Sequence, residues 1–430
     1  MIDMSNINRW VVALFLAVGA AAGGAMVAST HRAHDQSRDA TAQPRLTPAQ
    51  MLDSNIAFYE GVALRDPTGG MALGTLALLY MRRARATGDY QDVLRSESAA
   101  RRSLNNRGAH NTKARQALAA SLLSEHRFGD ALGIAQDLSD RDASNAAFRA
   151  SVGEIQMELG HYDDARASFA SVAGNASDLS VAPRLARWAE LEGNPDSAYR
   201  LMNASLLAIV DRAEVPAEQK AWFWLRMGDL QLRRGRIDEA ATDYARGLAV
   251  HTDDYRLLSA MAKLEGARHN WRTAIDYGER SVAVSFDPAT LGIISDSYLA
   301  LGDSAKADEY AHAMEVAVSK QATAYHRAWS LFLLDHRRRV SEVLAKAQEE
   351  LHTRRDIYGY DVVAWALHAS GRDPEAREMM THALALGTQD AMLFYHASMI
   401  DRALGRNDVA TGELAHARAL NPYLDAGAAE

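Results

Sequence analysis

The residues of this chain best able to do chemistry are its 15 histidines. An imidazole titrates near neutral pH and binds metals. Two of them four residues apart on a helix, beside a carboxylate, would make a hydrolytic metal site. The sequence holds no such arrangement. There is no HExxH and no i, i+4 histidine pair, and the one close pair, His31 and His34, lies in a polar stretch. No GxSxG turn is present to hold a serine nucleophile. Gly69, Gly70 and Gly74 follow no strand and match no phosphate-cradling pattern. The chain has no cysteine, which removes disulfides, zinc–thiolate sites and thiol nucleophiles together. The expectation is therefore no catalytic residue, no metal and no cofactor. A second reading keeps an accessory subunit or enzyme that uses scattered histidines, such as His368, for metal binding or hydrolysis.

Charge narrows the partners. Lys and Arg number 47 against 55 Asp and Glu, a net charge of −8, and no basic stripe offsets it, which argues against nucleic acid. Basic clusters at Arg82-Arg83-Arg85, Arg101-Arg102, Arg337-Arg338-Arg339 and Arg354-Arg355 fall near helix ends or turns, where cations favour the dipole and the free carbonyls. Asp163-Asp164 suits a helix start for the opposite reason. Asn175-Ala-Ser177 and Asn203-Ala-Ser205 match the glycosylation pattern.

The elements that would position these residues begin after an unusual leader. From Trp10 to Thr30 the chain carries no charge, with apolar weight at Trp10–Val18 and small residues at Ala20-Ala21-Ala22. That layout fits a signal peptide, and the length also fits an anchor. Residues 1–30 are thus expected to be inserted in, or processed at, a membrane, with residues 31–45 a polar linker. The rest would be exported (periplasmic or extracellular) or membrane-anchored through residues 10–30. Arg32, Arg38 and Arg45 after the segment, against Arg9 before it, favour the opposite orientation, a cytoplasm-facing adaptor. Folded structure is expected from Leu46-Thr47-Pro48, where threonine caps and proline presets the first turn. A helix there, burying Met51, Leu52, Ile56, Tyr59 and Leu64, would make residues 46–70 an N-terminal cap.

From about Ala72 to Leu424 the chain repeats. Gly160, Gly193, Gly235, Gly302, Gly371 and Gly405 are followed five residues later by Ala165, Ala198, Ala240, Ala307, Ala376 and Ala410. Ala131 follows His126 and Ala274 follows His269 in the same way. Val93 follows Gly88 and Val343 follows Arg338 more weakly. Successive spacings run from 33 to 38 residues, with one of 42. A period near 34, each unit two amphipathic helices, points to an all-α, right-handed α-solenoid of about ten helix pairs. The step of 42 inserts a loop with Pro216, dividing the array into blocks at 71–214 and 215–424, followed by a tail at 425–430. The last unit closes on Asn421-Pro422, where helix must stop. The exposed face of its second helix is expected to be polar, supplied by Glu413, His416 and Arg418.

With Gly228, Gly235, Ala240, Tyr244 and Gly247 in one unit, and Gly153, Gly160, Ala165 and Phe169 in another, the array resembles the tetratricopeptide repeat family, in a bacterial-type exported or membrane-anchored form. The resemblance implies a non-enzymatic interaction scaffold that holds a protein or peptide partner in a concave groove lined by the first helix of each unit. It assigns to that groove Trp222 with Leu225, Asp229 and Leu232, then Tyr358 with Asp361, Trp365 and His368, then Met392 with Tyr395, Met399 and Arg402. Arg187, Arg256, Lys263 and Phe332 belong to the same set. Aromatic, methionine and arginine side chains are those that binding hot spots favour.

Overall fold

In a computed structural model, which describes residues 46–320 and 327–424, the regular structure is helical throughout. The leader, the linker, His31, His34 and the 425–430 tail lie outside the described residues. No described helix is long and apolar enough to cross a membrane.

Helix α1 (Pro48–Arg65) starts as the sequence predicts. Thr47 Oγ1 accepts from the Gln50 N–H at 3.2 Å, and the Gln50 side chain accepts from the Thr47 N–H at 2.9 Å, which satisfies two otherwise free donors. Leu52 and Ile56 are buried against Leu76, Leu79 and Tyr80 of the next helix, with Tyr59 packed beside them. Met51 and Leu64, expected inside, are 47% and 81% exposed, because α1 has a neighbour on one side only.

Twenty further helices pair into ten units. Unit 1 is α2 (Gly70–Thr87) with α3 (Tyr90–Asn106), unit 2 is α4 (Thr112–Ser124) with α5 (Phe128–Arg141), and unit 3 is α6 (Ala146–Leu159) with α7 (Tyr162–Ala170). Unit 4 is α8 (Ala182–Leu191) with α9 (Pro195–Leu207), and unit 5 is α10 (Ala217–Arg233) with α11 (Ile237–Val250). Unit 6 is α12 (Tyr255–Ala267) with α13 (Trp271–Val284), unit 7 is α14 (Pro288–Ala300) with α15 (Ser304–Ser319), and unit 8 is α16 (Arg327–Asp335) with α17 (Val340–Glu350). Unit 9 is α18 (Ile357–Ala369) with α19 (Asp373–Ala383), and unit 10 is α20 (Ala391–Ala403) with α21 (Asn407–Leu420). The fold is an α-solenoid of tetratricopeptide-like helix pairs.

The repeated residues act as the periodicity implies. Each turn ends its first helix on a left-handed residue, and where glycine is missing His126 (φ 58°) and His269 (φ 61°) take that conformation. In unit 8 the turn is carried by Arg337 and Arg339, both at φ 51°. Five residues on, the methyl of Ala131, Ala165, Ala198, Ala240, Ala274 or Ala376 is wholly buried, as close helix crossing requires. Ala307 and Ala410 are nearly so. The segment behind the 42-residue step is itself packed: Ile209 is fully buried in a cluster with Met202, Phe223 and Met227 that runs from α9 into α10.

The array also folds back on itself. The turn of unit 1 lies under the end of unit 6, since a Cβ on Gly88 would overlap Ser285. Gly160 of unit 3 meets the Arg355 carbonyl, Gly193 of unit 4 meets Gly387, and a Cβ on Gly235 of unit 5 would lie 2.6 Å from the Ala419 carbonyl. Units 1, 3, 4 and 5 thus touch the ends of units 6, 8, 9 and 10. Five units complete one superhelical turn, and the second turn rests on the first. Hydrogen bonds stitch this seam. The Arg355 N–H donates to the Leu159 carbonyl at 3.0 Å and the Ile357 N–H to the Tyr162 hydroxyl at 2.7 Å, while the Thr388 hydroxyl donates to the Leu191 carbonyl at 2.5 Å. One apolar cluster runs from Phe169 and Trp188 of the first turn into Ile357, Trp365 and Leu393 of the second.

The outer face of α21 departs from expectation at one residue. His416 and Arg418 are exposed, but Glu413 turns inward, 86% of its side chain covered, toward Arg377 and the fully buried Asp401. Burial first, and Asp401 second, push the Glu413 carboxyl up to about 7 against the pull of Arg377. A carboxyl raised above its ordinary 4.5 binds a proton more tightly folded than unfolded, so its contribution is complete below that value and fades as pH rises through 7. Glu413→Gln, which keeps the uncharged form, should therefore match the wild type at pH 4 and exceed it at pH 8 by about 1–2 kcal/mol in urea unfolding. Equal pH profiles would refute the buried carboxyl pair.

Candidate functional site: the inner channel

The first helices face inward, and the stacked turns bring their side chains together across the axis. Arg226 and Arg233, seven residues apart on α10, and Arg187 and Glu190, three apart on α8, share inward faces by helical periodicity. Glu190, 2% exposed at its side chain, takes three guanidinium groups: Arg187 at 2.9 Å, Arg226 at 2.7 Å and Arg233 at 3.1 Å. Burial opposes its ionisation, yet those three cations hold its carboxyl far below the ordinary range. Arg233 then crosses the seam to Asp390 at 2.6 Å and donates to the Tyr358 hydroxyl at 3.3 Å. Asp390 is likewise held down, by Arg233 and Arg327, against the cost of burial.

The Tyr358 ring is clasped by Arg327 at 4.9 Å and Arg187 at 5.9 Å from its centroid, geometry in which the ring quadrupole attracts each cation. Arg327 reaches Asp361 at 2.5 Å, and Asp361 accepts from or binds His396 Nδ1 at 2.6 Å, both side chains wholly buried. His396 stacks on Trp365 with centroids 4.2 Å apart, and the Trp365 indole N–H donates to Asp335 at 2.8 Å.

Elsewhere on the channel wall, Arg256 pairs with Asp254 at 2.5 Å. Lys263 of α12 makes no close ion pair: it is open to water but ringed by protein. That enclosure pushes its ammonium below the ordinary range, Asp390 pulling up and Arg233 and Arg327 pushing down. Arg85 of unit 1 is shifted downward by the same enclosure, with Arg184 and Arg256 adding to it.

The residues assigned to the groove from sequence thus divide into two sets. Arg187, Arg256, Lys263 and Tyr358 meet in the channel. Trp365, Tyr395 and Phe332 are each 7% exposed and packed between helices, Phe332 against Trp329 and His336. Asp361 is buried as well, and Asp229 is engaged by Arg226 at 2.7 Å and by the Tyr244 hydroxyl at 2.8 Å. Trp222 is half-buried, edge-on to Phe223 and resting on the α9–α10 cluster. The family spacing put the large rings on the channel wall, but neighbouring units cover them.

Sequence reasoning missed Glu190, Arg226, Arg233, Arg327 and Asp390. Their one signal was helical spacing of opposite charges (Arg187/Glu190, Arg226/Asp229/Arg233), which reads equally well as solvated surface until the second turn is laid over the first. Among the described residues no three His, Asp or Glu side chains converge to hold a metal ion. His368 binds Asp373 at 2.5 Å next to its own turn.

No family model matches this chain, and no curated protein matches it in sequence. Among solved structures, the crystal structure of the APC/C hetero-tetramer Cut9-Hcn1 is similar over 87% of this chain and 91% of that one, at 12% identity and a TM-score of 0.34. A likeness so distant carries no argument about function. The solenoid assignment rests on the helix pairs and their packing.

Proposed function

We propose that the protein is a non-enzymatic interaction scaffold whose inner channel holds an extended segment of a partner protein, and that the segment is acidic. The observation that carries the reading is the placement of charge. On the channel wall Arg184, Arg187, Arg226 and Arg256 are paired with Glu154, Glu190 and Asp254, but Lys263 has no close counter-ion. A cation enclosed without a partner gains most from an incoming carboxylate, because the surrounding protein weakens screening by water. A side-by-side array of first helices suits a chain in extended form, which offers side chains at regular intervals.

The test is binding of fluorescent acidic and neutral peptides of equal length, followed by anisotropy. The acidic peptide should bind, more tightly at low salt, and Lys263→Glu should weaken it about tenfold or more. Equal binding of both peptides, or a Lys263→Glu variant that binds as the wild type does, would remove the channel assignment. Trp222→Ala, off the charge cluster, should leave binding of the acidic peptide as in the wild type.

Residues 10–30 are proposed to export this scaffold or to tether it at a membrane, their uncharged, front-loaded apolar character being the support. A reporter fused after Arg45 that is active only in the cytoplasm would refute export.

A further inference from the structure

Of the 47 Lys and Arg residues in the chain only six are lysines: Lys113, Lys220, Lys263, Lys306, Lys320 and Lys346. The other cations described in the channel are arginines, whose guanidinium stays protonated in a protein and does not act as a nucleophile. Lys263 is the exception. An ammonium can give up its proton, and the free amine then attacks an electrophilic carbon.

The surroundings of Lys263 favour that free amine. Four charged groups from three units bear on it: Asp229 and Arg233 of α10, Arg327 of α16, and Asp390, which caps α20. Neither carboxylate is within ion-pair distance of the amine, and both are engaged elsewhere. Asp229 holds Arg226 and the Tyr244 hydroxyl, while Asp390 holds Arg233 and accepts from the Met392 N–H at 2.9 Å. Enclosure by protein disfavours a proton on Lys263, and Arg233 and Arg327 add to that effect against the pull of Asp390 and Asp229. The side chain is nonetheless open to solvent, so a small reagent that enters the channel can reach it. Other lysines sit differently. Lys306 is tied to Glu309 at 2.9 Å, which favours its charged form, and Lys320 lies over the Phe286 ring.

We propose that Lys263 is a site of Nε-acylation by small acyl phosphates, and that its acylation loosens the hold of the channel on an acidic segment. The amine nitrogen bonds to the acyl carbon, the bond from that carbon to the phosphate oxygen breaks, phosphate departs, and the surplus proton on nitrogen passes to water. Acyl phosphates fit the place because the donor is itself an anion, drawn towards the cations beside the amine. The product is a neutral amide, so the one channel cation without a close counter-ion disappears. The second half of the proposal rests on the reading of the channel as a holder of acidic segments.

The experiment treats the full chain with acetyl phosphate at pH 8 and follows each lysine by peptide mass spectrometry. Lys263 should be acetylated first, several-fold faster than the exposed Lys113 and Lys346, and its lead should vanish in urea-unfolded chain. The treated wild type should then bind the fluorescent acidic peptide several-fold more weakly. Lys263→Arg keeps a cation that acetyl phosphate does not acylate, so whatever affinity this variant starts from should survive treatment. A Lys263 that reacts no faster than Lys113 and Lys346 overturns the proposal. Equal loss of binding by wild type and Lys263→Arg overturns it as well, tracing the effect to other lysines. An untreated chain that does not bind the peptide refutes the channel reading and the loosening with it, while the order of labelling still decides the acylation site.

Discussion

Gly160→Ala should destabilise this protein far more than Gly371→Ala, although the two glycines occupy the same place in their units. Both end a first helix in the left-handed conformation, at φ 78° and 72°, so an added methyl meets the same backbone strain of about 1–2 kcal/mol at either site. They differ in what lies beyond. At Gly371 a Cβ enters open space, whereas at Gly160 it overlaps the Arg355 carbonyl and crowds the Asp356 nitrogen. Both are backbone atoms, so no side chain can swing aside. The second turn must lift, and lifting it stretches the hydrogen bonds from Arg355 to Leu159 and from Ile357 to Tyr162. Overpacking of this kind adds about 1–3 kcal/mol to the strain, so Gly160→Ala should cost about 2–5 kcal/mol in all. Urea midpoints with unchanged slopes would measure the difference. Equal losses at the two sites would mean that the turns do not stack. A Gly193→Ala variant, facing the Gly387 carbonyl, should follow Gly160.

That contrast marks where sequence reasoning stops. The period, the turn glycines and the small residue five positions later are local consequences of packing two helices closely, and local spacing reveals them. His126 and His269 were recognised as turn residues by register alone, and both adopt the left-handed conformation. The number of units per superhelical turn is different. It depends on small angles between neighbouring units summed over five of them, and no single residue encodes that sum. Because it was not legible, Gly160 looks identical to Gly371 in sequence. Trp365, Tyr395 and Phe332 were expected on an open surface and prove to be packed between adjacent units, whose close approach the spacing alone does not fix. Of the channel, Arg187, Arg256, Lys263 and Tyr358 were reachable from the position they hold in their units. Glu190 was not. An acid on a helix surface is ordinary, and only the arrival of Arg226 and Arg233 from the next unit makes it a centre.

Replacing that centre is the second large effect to expect. Glu190→Gln keeps the shape of the side chain and removes one charge, leaving Arg187, Arg226 and Arg233 facing one another. Arg226 retains Asp229 and Arg233 retains Asp390, but Arg187 has no other carboxylate within ion-pair distance. Breaking a buried pair from one side costs about 3–5 kcal/mol in a dry interior. The three arginines are still about a quarter exposed, at 24–29%, so channel water relieves part of the repulsion, and about 2–4 kcal/mol is the fitting range. Two controls separate this from a general loss of packing. Sulfate can enter the channel and stand in for the missing carboxylate, so it should stabilise the variant more than the wild type, beyond its common effect on both. Acid should distinguish them as well. A carboxyl held below its ordinary 4.5 contributes fully above that value and is lost as pH falls through its folded range, so the wild type should forfeit its advantage on acidification while the variant has none to lose. If the two stability curves instead run parallel from pH 7 down to the acid limb, Glu190 is not the counter-charge that holds the three arginines, and the channel owes its order to the seam alone.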